Sequence, residues 1–157
     1  MPKIDIQTLP VATGTDYPAP YNAGFERRHR TALGDPMGLT QFGVNHIRLK
    51  PGGLSSLRHW HEEQDEFLVV TEGRLTLIED SGETELAPGD CAAFPKGAAN
   101  GHHLANKAGV DGCFVVVGAR TRTERVWYSD VDMTVSDDET GGGTFTRQDG
   151  SPIERDV

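Results

Sequence analysis

Residues 53–73, GLSSLRHWHEEQDEFLVVTEG, decide how the chain is read. Their densest chemical signal is His59-Trp60-His61. On a β-strand, residues i and i+2 point to the same face. Both imidazoles therefore project to one side and Trp60 to the other. Two imidazoles on one side make half of a transition-metal site. Working outward, Leu39–Leu49 is strand-like and stops at Lys50-Pro51-Gly52-Gly53. Ser55–His61, Phe67–Thr71, Leu75–Glu79, Thr84–Leu86, Cys91–Phe94, His102–Leu104 and Gly112–Val117 read as further strands. Turn signals such as Glu72-Gly73, Pro88-Gly89-Asp90 and Pro95-Lys96-Gly97 separate them. Short strands with turns at this spacing predict an all-β sandwich or barrel. The exception is Thr121–Arg125, which reads as a helical turn.

The chain has 157 residues, enough for one domain that buries a core without a disulfide. Nineteen Gly and nine Pro suit a fold with many tight turns. The net charge of −9 argues against nucleic-acid and anionic-membrane partners, because an acidic surface repels phosphate. Cys91 and Cys113 lie in apolar runs and read as small buried hydrophobes in a reducing compartment. The opening residues show no secretory signal, and no apolar run approaches the ~20 residues of a membrane span. The expected location is cytoplasmic.

Three regions follow. Residues 1–38 read as an extended N-terminal arm packing on the barrel or on a partner. Within them, Phe25–Arg30 is a basic cluster that reads as a solvated turn or a partner for acidic surface rather than a binding patch. Residues 39–128 read as the barrel, and 129–157 as an acidic C-terminal extension. Gly141-Gly142-Gly143 reads as a break in regular structure, with 136–157 flexible or draped over a surface. Trp127 and Tyr128 are expected to anchor this tail. His46 reads as surface or cavity lining, and His29 as solvated.

Gly53, His59, His61, Glu66 and Gly73 together read G-x5-H-x-H-x4-E-x6-G, which resembles the first motif of the cupin superfamily. From the chain's own composition, such a match arises by chance roughly 2 times in 10,000. Gly89-x5-Pro95-x-Gly97 is similar to the start of the second cupin motif. The motif then wants His at 100, where this chain has Asn100. His102-His103 follow, and His102-x3-Asn106 restores the motif's ending. A two-residue insertion in the turn gives His102 the inward direction and turns His103 outward. Three assignments of the fourth position stay open: His102 first, then His103, or no protein ligand with Asn100 in its place.

Beyond the motifs, the stretches LAPGDCAAFPKGAANGHHLAN and VVVGARTRTERVWYSDVDM resemble the small bacterial cupins labelled sugar phosphate isomerases. The resemblance implies a double-stranded β-helix, the jelly-roll barrel. It also implies one divalent transition metal (Fe, Mn, Ni, Co, Cu or Zn) on His59, His61, Glu66 and His102. An N3O donor set without thiolate suits any of these ions. The expected function is an isomerase-like enzyme on a small oxygenated metabolite. A metal-dependent dioxygenase and a non-catalytic binding cupin are the alternatives. A sugar phosphate needs a cation in the cavity, and Arg48 is the strand Arg to propose. The arm before Leu39 fits the homodimers common among cupins, formed by pairing sheet edges.

Overall fold

A computed structural model describes residues 2–138 and 142–153. Among them there is no α-helix, and the helical segments are two short 3-10 turns at Ile6–Thr8 and Asp35–Met37. The strands are β1 (Ala12–Thr13), β2 (Arg28–Ala32), β3 (Phe42–Leu49), β4 (His59–His61), β5 (Glu66–Glu72), β6 (Leu75–Glu79) and β7 (Gly82–Leu86). They continue with β8 (Cys91–Phe94), β9 (His103–Ala105), β10 (Gly112–Ala119), β11 (Glu124–Tyr128), β12 (Thr134–Asp137) and β13 (Gly143–Thr146).

One wall is a six-stranded sheet in the order β1-β2-β3-β10-β5-β8. The other is built from a four-stranded sheet, β13-β12-β11-β4, and a three-stranded sheet, β7-β6-β9. Antiparallel bridges, His59 to His102 and Leu54 to Ala105, join these two edge to edge. All the strand pairings are antiparallel, as a jelly roll of hairpin-linked strands requires. Alternation places the core. In β5, Leu68 and Val70 are buried while Phe67 faces out. With Ile47, Leu49 and Phe114 of the same sheet, they pack in one cluster with Leu75, Leu77, Leu86 and Leu104 of the opposite wall.

Strands extend beyond residues 39–128 on both sides. The Phe25–Arg30 cluster is an exposed turn only at Glu26-Arg27. Its C-terminal half opens β2, which hydrogen-bonds along β3 from Arg28–Leu49 to Ala32–Asn45. An unpaired β3 edge would leave a row of backbone donors and acceptors open, and β2 closes it. The expected helical turn at Thr121–Arg125 is also corrected, because β11 begins at Glu124 and pairs with both β4 and β12. In ERVWY, strict alternation buries Glu124, Val126 and Tyr128, and this period of two outweighs any helical tendency.

The described part of the C-terminal extension is draped over the barrel. Phe145 and Ile153 pack with Val126, Tyr128 and Met133, and Tyr17 and Tyr21 of the N-terminal arm join them. Gly143 lies in β13, so the glycine run does not break structure there; Gly141 and residues 154–157 lie outside the described residues. Cys113 is fully buried, but Cys91 is exposed, correcting the expectation for that residue. Cys91 sits on the edge strand β8, where Ala92 and Phe94 take the inward positions.

Asn106 shows why the second motif ends in Asn. Its Nδ2 donates to the carbonyls of Leu49 (2.8 Å) and Val110 (2.9 Å), and its Oδ1 accepts from the Ala108 amide (2.9 Å). A buried amide with both ends satisfied holds three segments in register.

Candidate metal centre

Each of the four candidate ligands reaches the barrel interior for a local reason. His59 and His61 share the inner face of β4, and Trp60 takes the outer face, where it stacks on Trp127 at 6.2 Å. Glu66 has the parity of Leu68 and Val70, so the first residue of β5 points inward. His102 lies across from His59: the His59 amide donates to the His102 carbonyl (3.3 Å), and the His102 amide to the His59 carbonyl (3.1 Å). That bridge brings together residues that the chain separates widely.

His59, His61 and Glu66 each present a donor atom within 4.8 Å of the others. His102 joins them through Nε2, 3.0 Å from Glu66 Oε1, while His61 Nε2 lies 3.4 Å from Glu66 Oε2. Donors on one ion with bonds of about 2.0–2.2 Å stand roughly 3.0–3.5 Å apart. The His59, His61 and Glu66 donors are thus consistent with a divalent transition ion, and His102 touches that cluster through Glu66.

The ring nitrogens are oriented for that role. A carbonyl only accepts, so Nδ1–H of His59 donates to Leu57 O (2.9 Å) and Nδ1–H of His102 to Asn100 O (3.2 Å). Both rings then turn Nε2 toward the centre. Phe94 stacks flat on His102, with centroids 3.5 Å apart, and fixes the ring plane. Neither nitrogen of His61 has a hydrogen-bond partner among the described residues, although both are buried.

Electrostatics favour a cation here. Burial holds His59 down at about 4, so this imidazole is neutral. Burial would raise the Glu66 carboxyl, but the close approach of the His102 and His61 rings outweighs it and holds it below the usual carboxylate range. For His61, burial alone would lower the pKa. Glu124 and Glu66 reverse that and push it up to about 9.

Glu124 was not singled out from the sequence. Its Oε1 accepts from the amides of Glu62 (3.0 Å), Glu63 (3.2 Å) and Arg125 (2.8 Å), and its Oε2 faces His61 Nδ1 at 3.8 Å. The alternation of ERVWY was the available signal. Asn100 spends its side chain on Glu79 Oε1 and the Asp80 amide. His103 does not turn outward as expected: it lines the same cavity, but its Nδ1 donates to Ser56 O (2.8 Å). His46 lies by Arg48 and Lys50, in a pocket apart from the centre.

Arg48 is not the cavity cation. Its guanidinium faces Glu72 and Asp111 on the outside, at 3.4 Å from each. The cavity beside the donor set, about 230 Å³, is lined by His59, Glu66 and His102 together with Arg28 and Tyr17.

A family model for the cupin domain matches residues 45–118. No curated protein compared matches the chain. Among solved structures, a cupin-superfamily sugar phosphate isomerase from Silicibacter pomeroyi DSS-3 is 51% identical over 97% of this chain and 96% of its own, with a TM-score of 0.93. The chain belongs to the cupin superfamily. A second structure, from Acidithiobacillus ferrooxidans and provisionally assigned as a sugar phosphate isomerase, is 25% identical over 82% of each chain, at a TM-score of 0.71. The polyketide cyclase RemF from Streptomyces resistomycificus, 21% identical over 76% of this cupin and 79% of its own chain, shares the fold at a TM-score of 0.62. Among the described residues of this cupin, no helix is long and apolar enough to cross a membrane.

Proposed function

We propose that this cupin binds one divalent transition metal through His59, His61, Glu66 and His102 and acts on a small oxygenated metabolite. The observation that carries the reading is the cluster of His59, His61 and Glu66, with His102 against Glu66, beside a small cavity. When bound, such an ion polarises a carbonyl or hydroxyl oxygen of the substrate. The chain's own residues supply the rest. Leu68, Leu77, Phe114 and Val116 line the cavity with apolar surface and keep bulk water from the reacting group. The carbonyls of Leu57 and Asn100 hold two imidazoles in the tautomer that leaves Nε2 free.

The activity named for the Silicibacter relative, sugar phosphate isomerisation, sets the first assay. Protein purified without chelator is expected to carry close to one equivalent of metal. Loaded with Fe, Mn, Ni or Zn in turn, it is expected to interconvert an aldose–ketose pair or transform a hydroxy or keto acid, followed by NMR. Protein that refuses all four ions sinks the metal reading. Loaded protein that binds these compounds and converts none of them is a binding module.

Glu124 is expected to act on the metal through His61. Glu124→Gln keeps an acceptor for the three amides but loses the charge facing Nδ1. Metal affinity should fall about 10–100-fold, as when an outer carboxylate of a histidine ligand is neutralised. A competition titration against a chromophoric chelator measures this, and an unchanged affinity would make Glu124 purely architectural.

A further inference from the structure

The cavity carries a second recognition element opposite in character to its metal-type donors. We infer that Arg28 and Tyr17 form a carboxylate subsite, so that the ligand of this cupin is a small acid with a carbonyl or hydroxyl oxygen close to its carboxylate. This rests on the reading of the cavity as a small-molecule site and names the class of molecule it takes.

Arg28 enters through β2. Its cross-strand partner is Leu49, which is fully buried, and cross-strand partners share a face. The guanidinium is therefore directed into the barrel. Nε–H donates to Ser55 O at 2.7 Å and Nη1–H to Gly14 O at 2.9 Å. Among the described residues, Nη2 has no hydrogen bond and no carboxylate pairs with Arg28 within ion-pair distance. Glu66, the carboxylate lining the cavity, is engaged by His102 and His61. A half-buried guanidinium held by two carbonyls keeps its full positive charge and calls for an anion. Tyr17, packed edge-on against Phe25, Tyr128 and Phe145, forms the wall beside it.

The charge and the volume choose the anion. Among the described residues, Arg28 is the only Arg or Lys lining the cavity, so one fixed positive charge is offered. That matches a carboxylate better than a phosphate monoester, which carries about −1.5 to −2 at neutral pH. Phosphate sites also commonly gather several cations, and among the described residues no second Arg or Lys lines this wall. The volume of about 230 Å³ lies below the ~300–1,000 Å³ of larger ligand pockets, which suits a compact acid.

The test measures binding to the whole chain, with and without Mn(II), by calorimetry. The probes are pyruvate, its neutral analogue hydroxyacetone, and dihydroxyacetone phosphate. The wild-type protein is expected to bind pyruvate at least about 10-fold more tightly than either other probe. Arg28→Met should weaken pyruvate binding about 30-fold or more and leave hydroxyacetone and Mn(II) affinities unchanged; Arg28→Lys should recover part of the loss. The selectivity of the wild type needs no variant, so a misfolded Arg28→Met leaves the test intact. Preference for the phosphate ester, equal loss for neutral and anionic probes, or no pyruvate binding overturns the subsite. Pyruvate binding that depends on Arg28 in a protein refusing every metal would keep the subsite and sink the metal reading.

Discussion

Replacing His61 by Ala is expected to remove tight divalent-metal binding, by about 100-fold or more, and to leave the barrel folded. The two effects separate because no backbone group hydrogen-bonds to the ring, and neither of its nitrogens has a hydrogen-bond partner among the described residues. Its removal takes away a third of the imidazole set, at some cost in stability because Glu66 and Glu124 lose the imidazole that faces both. His59→Ala should be similar for metal, with a small added cost for the lost bond to Leu57 O. His103→Ala should change metal affinity by less than about threefold, since Nδ1 of His103 is directed to Ser56 O. Equilibrium dialysis with Mn(II) or Zn(II), beside a thermal melt of each variant, reads both quantities. If His102→Ala and His103→Ala lose metal equally, the assignment of His102 by its bridge to His59 is wrong.

Gly73→Ala is expected to be the most damaging single-methyl addition in the barrel, on the order of 3–5 kcal/mol. Gly73 has φ +69°, in the left-handed region where a side chain is strained. An added Cβ there would overlap the Asp111 carbonyl oxygen and come within 2.9 Å of the Gly112 Cα. Both neighbours are backbone at the start of β10, which pairs with β3 and β5, so they cannot swing aside. Gly89→Ala is the control: φ is +94°, but a Cβ would meet nothing within 4 Å. That variant should cost about 1 kcal/mol, the strain without the collision. Urea denaturation separates them, and equal losses would mean that the close approach at Gly73 relaxes freely. The last glycine of the first motif is therefore a fold requirement, not a site residue.

Much of the site was legible in local patterns. The HWH triplet on a strand sets two imidazoles on one face wherever the strand lies. The alternation of EFLVVTE puts Glu66 on the side of Leu68 and Val70. Spacing alone left His102, His103 and Asn100 open, because an insertion in a turn shifts the count from Gly97 without leaving a trace in the residues themselves. Only the placement of the His102 backbone beside His59, and the use of the Asn100 side chain by Glu79 and Asp80, sets the three apart.

Arg28 and Glu124 show the limit more sharply. Both sit in segments that read locally as turns, one inside a run of basic residues and one beside Thr-rich polar residues. Their direction follows from register against β3 and β4, and register is a property of pairs of distant segments. Local chemistry thus decided that this chain folds as an all-β cupin with imidazoles and a carboxylate facing inward. Which charged groups share the cavity with them was decided by tertiary pairing, since burial in a barrel is conferred by the strand across the gap rather than by a residue's neighbours in sequence.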